Sequence, residues 1–140
     1  MIDNDPVAMR RVYFDAWQKE IMGIPQSPME AIIVDIIKRH PEYHPLFSKE
    51  TFEQFQSEKF ELDHNPFFHL ALHVTIAEQV GTDRPKGIRT IYQKLLKKHQ
   101  DQTVAEHKMM ECLARILVEG FMKDAASSEE LYLEALKKIT

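Results

Sequence analysis

The chain has 140 residues, 44% of them hydrophobic and 29% charged, the proportions of one ordinary soluble globular domain with a sizeable core. A formal charge of −4 excludes a domain-wide electrostatic footprint for nucleic acid, and no apolar run reaches the roughly 18–20 residues of a membrane span. The acidic start, Met1-Ile2-Asp3-Asn4-Asp5, carries no hydrophobic leader, and the single cysteine, Cys112, cannot form an internal disulfide; both point to a cytoplasmic protein.

Helix punctuation organises the rest. Asp5-Pro6 offers a cap followed by a proline at the first helical position, and apolar residues at helical spacing then run to Gly23. Ser27-Pro28-Met29-Glu30 is a capping box; Met29, Ile32, Ile33, Ile36 and Ile37 line one face of the helix it opens, until His40-Pro41 ends it. Residues 41–65 are the least regular stretch, with Ser48 as a candidate cap for a short helix carrying Phe52 and Phe55. Asn65-Pro66 opens a helix to Gly81 that is apolar on nearly every face, as a buried central helix is. A turn at 81–85 leads into helix 85–99, and Thr103-Val104-Ala105-Glu106 reads as a second capping box for a helix to about Lys123. Ser127 to Glu130 begins the last amphipathic helix. No segment alternates with period two. The expectation is all-α: a single domain over 1–140, built as a helical bundle of five to seven helices.

Seven histidines stand out against this background. His69 and His73 are four apart, so their side chains leave one face of the 66–81 helix a turn apart. His107 and Glu111 repeat the spacing on the 104–123 helix. Counted from Asn65 and Thr103 as caps, the two pairs lie at equal depth, and one intervening helix with short connections makes the two site-bearing helices start at the same end. Three imidazoles and a carboxylate suit a divalent transition metal such as zinc, iron or nickel, with a position open for water. His44, in His40-Pro41-Glu42-Tyr43-His44, is a candidate fifth ligand, although a histidine at a helix C-terminus also serves simply to complement the dipole. His64 and His99 read as surface residues. The competing reading of the same histidines is a hydrogen-bonded core.

Outside this constellation, Cys112 lies ~140° round the helix from His107 and reads as a small core residue. The 84–99 segment carries six basic side chains and no acidic one. Lys86, Arg89, Lys94 and Lys97 on its outer face define a second candidate function, a non-enzymatic module that docks an acidic partner. The absence of an interleaved exposed aromatic weakens the case for nucleic acid. Homo-oligomerisation fits either candidate, and nothing in the residues decides whether the protein is an enzyme.

The run Asn65-Pro66-Phe67-Phe68-His69-Leu70-Ala71-Leu72-His73 resembles a known bacterial family. So do Glu78-Gln79, Asp83-Arg84-Pro85 with Gly87-Ile88-Arg89, Ala105-Glu106-His107 with Met110-Glu111-Cys112-Leu113, and His40-Pro41-Glu42-Tyr43-His44. Together they resemble the family catalogued as domain of unknown function 1841, over about Arg10 to Ile139. The resemblance implies a small, predominantly bacterial, soluble single-domain protein and brings no activity with it.

Overall fold

Proline at the first helical position begins four of the helices, where its missing N–H costs no hydrogen bond. These are α1 (Pro6–Met22), α2 (Pro28–Lys38), a 3-10 helix (Pro41–Phe47) and α4 (Pro66–Thr82); α3 (Lys49–Phe55), α5 (Ile88–His99), α6 (Gln102–Glu119) and α7 (Ala125–Ile139) complete the set. The computed structural model describes residues 6–55, 65–119 and 125–140. All the described secondary structure is helical, so the all-α expectation holds; among the described residues the helices number eight rather than five to seven. The additional one is the 3-10 helix at Pro41–Phe47; α3 is the short helix that Ser48 was expected to open, and Ser48 Oγ accepts from the Thr51 amide.

Local sequence explains most helix ends. Ser27 and Glu30 form the capping box in full, with Ser27 Oγ accepting from the Glu30 amide at 3.2 Å and Glu30 Oε1 accepting from the Ser27 amide at 2.9 Å. Gly23 closes α1 at φ +69°, and the amides of Gly23 and Ile24 donate to the carbonyls of Glu20 and Lys19, a Schellman arrangement. Asn65 caps α4 by accepting from the amides of Phe67 and Phe68 at 2.9 and 3.1 Å.

Three helix starts differ from expectation. α7 begins at Ala125, ahead of Ser127. α5 begins at Ile88 rather than residue 85, because Gly87 at φ +99° precedes it and Asp83 Oδ1 accepts from the amides of Gly87 and Arg89. α6 is capped by Asp101 and not by Thr103: Asp101 Oδ1 accepts from the Val104 amide at 2.9 Å. Glu106 is thereby released from the capping-box role its position suggested. The depth match counted from Thr103 is off by two residues, or about 3 Å of helix rise.

The chain divides into two compact units, Met1–Ala71 and Leu72–Thr140, and the division falls inside α4. In the first unit α1 packs on α2, and the 3-10 helix packs on α1, α2 and α3. Tyr13, Ile33, Ile36, Ile37, Phe47 and Phe52 fill its core, and the rings of Phe14 and Phe52 stack at 4.3 Å. In the second unit α5, α6 and α7 pack against one another around Ile88, Leu95, Met109 and Leu136. Tyr132 of α7 donates its hydroxyl to Gln79 Oε1 of α4 at 2.7 Å, and burial pushes that hydroxyl well above the usual tyrosine range. No helix among the described residues is long and apolar enough to cross a membrane.

Lys19, and after it the Ser27 amide, hold the Glu30 carboxyl below the usual glutamate range. The stabilisation from that shift is fully present above about pH 4.3 and is lost as pH falls through the lowered value. Ser27→Ala removes the Oγ acceptor of the cap and should lower unfolding free energy by about 1 kcal/mol in urea denaturation at neutral pH, and no change would show that the cap contributes nothing.

Candidate metal centre

At the C-terminus of α2 two histidine rings reach back to carbonyls that also accept backbone amides, Ile36 from Arg39 and Ile37 from His40. His40 follows Arg39, the last capping residue, and lies in line with the apolar stripe Ile33, Ile36 and Ile37 (an i, i+3, i+4, i+7 pattern). It is 3% exposed, and its Nδ1 sits 2.9 Å from the Ile36 carbonyl. A carbonyl only accepts, so Nδ1 carries the proton, and Nε2 of the neutral ring presents a lone pair. That lone pair faces Nε2 of His69, on α4, at 3.2 Å. The Tyr43 ring stacks on His40 at 5.4 Å and meets His69 edge-on at 6.0 Å, so it walls both imidazoles. Burial, and then the charge of Glu42, raises the Tyr43 hydroxyl above its ordinary value.

The second unit repeats the motif. His73, on α4, is fully buried, and its Nδ1 lies 3.2 Å from Oε1 of Glu106, itself 3% exposed. A carboxylate also only accepts, so His73 again carries its proton on Nδ1 and offers a lone pair at Nε2. That nitrogen lies 3.1 Å from Nε2 of His107. His69 and His73 are one turn apart on α4, as their spacing predicts. One ligand atom from each of His40, His69, His73 and His107 lies within 4.8 Å of all the others, a set that could hold a metal ion.

Of the five residues expected as ligands, this set contains His69, His73 and His107 and leaves out Glu111 and His44. Glu111 is exposed. On α6 the buried face runs from Cys112 through Met109 and Leu113 to Met110. His107 lies ~60° beyond that edge and Glu111 ~100° beyond it, which turns the carboxylate outward. His44 is half-buried; its Nε2 donates to the Ile37 carbonyl at 2.9 Å, and its ring lies 4.8 Å from that of Trp17. It fills the helix-terminus role that its position allowed. In their places stand His40 and Glu106. The signal for His40 was its register with the isoleucine stripe; the signal for Glu106 was hidden by its resemblance to a capping-box residue.

The remaining candidates lie elsewhere. His99 is half-buried at the end of α5, and His64 falls outside the described residues. Cys112 is buried, and burial raises its thiol above the ordinary cysteine value, as a core residue requires. Lys86, Lys94 and Lys97 are exposed on the basic face. Arg89 is held in a structural role: its guanidinium donates to the Val80 and Gly81 carbonyls, both at 3.0 Å, closing the end of α4.

The chain is thus an all-α protein with a histidine set able to take a metal ion. It belongs to the family described as Domain of unknown function (DUF1841), whose model matches residues 5–138. Comparison with curated proteins and with solved structures finds no match.

Trp17 is the single tryptophan, so the emission reports on its surroundings, of which the His44 ring is part. His44→Ala should change Trp17 fluorescence and leave the amount of bound metal as in the wild type; loss of metal would return His44 to the ligands.

Proposed function

We propose that the protein binds one divalent transition-metal ion through His40, His69, His73 and His107. The observation that carries this reading is the state of the ring nitrogens. In both pairs one ring already spends its Nδ1–H on an outer acceptor, the Ile36 carbonyl or the Glu106 carboxylate, and turns a bare Nε2 toward another imidazole nitrogen. Two facing imidazole nitrogens at 3.1–3.2 Å need a proton or a cation between them. Outer acceptors that fix tautomer and ring orientation are the usual surroundings of metal-ligating histidines.

The distances suit such an ion. Zinc–nitrogen bonds of about 2.0–2.1 Å define a tetrahedron with an edge of roughly 3.3 Å, close to both pair separations. The widest separation in the set, up to 4.8 Å, exceeds that edge, so binding draws the nitrogens inward. Imidazoles without thiolate or inner carboxylate favour zinc, nickel or iron over calcium or magnesium. Four of them complete the shell of zinc, which then acts as a structural ion; nickel or iron would keep positions free for water or oxygen chemistry.

An ion that binds only the folded chain stabilises it by mass action, about 4 kcal/mol at a free concentration a thousand times Kd. Protein purified without an affinity tag should contain close to one transition-metal ion per chain. Its melting temperature should rise on loading, and acidification should release the ion, because protons compete for the same nitrogens. His73→Ala/His107→Ala should abolish binding while Glu111→Ala leaves it unchanged. Sub-stoichiometric metal that survives in the double variant contradicts the reading.

A further inference from the structure

Glu106 is the feature that the four-histidine set does not itself explain. It is a carboxylate at 3% exposure, on the helical turn that also carries His107, with Oε1 on the outer nitrogen of a fully buried imidazole. Burial of a carboxylate is unfavourable unless charge and hydrogen bonds compensate it. The His73 imidazole supplies one such hydrogen bond, and a divalent cation on the inner nitrogen of the same ring would add charge of the opposite sign.

We infer, on the basis of the metal reading above, that Glu106 is a positioning residue with two separable actions. Its carboxylate holds His73 as the Nδ1–H tautomer, which keeps the Nε2 lone pair directed inward. Its negative charge, transmitted through the ring, makes His73 a stronger donor and compensates the charge of the ion. Glu106 is not itself a ligand in this arrangement, because its oxygen engages the nitrogen on the outer side of the ring. The cap at Asp101 frees the side chain for this role. Had Thr103 capped α6, Glu106 would have reached back to the helix start.

The test compares the wild type with Glu106→Gln and Glu106→Leu as full chains. After the proteins are stripped with chelator, zinc affinity is measured by competition and the zinc-free proteins are melted. Glutamine keeps an acceptor for Nδ1–H and loses the charge, whereas leucine loses both. Zinc affinity should fall in the order wild type, Glu106→Gln, Glu106→Leu, with the leucine variant down by about 10–100-fold. The zinc-free glutamine variant should melt close to the wild type, which separates tuning of the site from general loss of structure. Affinities of both variants within twofold of the wild type would overturn the proposal. A wild type that takes up no zinc, nickel or iron would instead remove the metal reading. A readout that needs no variant is nitrogen-15 NMR of histidine-labelled, zinc-loaded wild type. His73 should show a protonated Nδ1 and a metal-bound Nε2, and the reverse assignment would also overturn the proposal.

Discussion

Everything specific about this protein depends on which ring nitrogen bears the proton in two buried histidines. The Ile36 carbonyl settles it for His40 and the Glu106 carboxylate for His73, each by accepting from Nδ1. Both constraints come from ordinary helical chemistry. One acceptor is the Ile36 carbonyl at the end of α2; the other is a glutamate on the first turns of α6, where a neighbouring aspartate takes the cap. From these two hydrogen bonds follow the inward lone pairs, and from the lone pairs follows a place for a cation.

The scaffold is suited to holding such a site. α4 is apolar round most of its circumference and is capped by Asn65 at one end, while Arg89 closes its carbonyls at the other. His69 and His73 therefore stand on a helix defined at both ends. Tyr43 adds a ring against His40 and His69, which restricts rotation of those imidazoles without itself supplying a ligand atom. A site supported in this way loses little orientational freedom when an ion enters.

Helix boundaries were largely legible in the sequence because they rest on local chemistry: Pro6, Gly23, Ser27 with Glu30, and Asn65 all act as their residue types suggest. Two caps were misread where two candidates competed within a few residues. Asp101 displaced Thr103, and Gly87, with Asp83 behind it, displaced Pro85. The all-α class was legible for the same reason, since capping signals bound the long segments and none alternates with period two. The stretch 41–47 was not, because a 3-10 helix leaves little apolar periodicity to read.

The site was legible in part. Histidines four apart on one helix, 69 and 73, declare themselves by spacing, and His107 by its place on a largely apolar helix. His44 and Glu111 had acceptable spacing, but a few tens of degrees of helical rotation or a nearby carbonyl was enough to send them elsewhere. His40 was marked only by its register with the isoleucine stripe, and its meeting with His69 is seen only in three dimensions. The measurement that bears most directly on the account is X-ray absorption spectroscopy of the metal-loaded protein at the edge of the bound ion. The account predicts a first shell of imidazole nitrogens, four of them at about 2.0–2.1 Å if the ion is zinc. A shell dominated by oxygen or sulfur would contradict it.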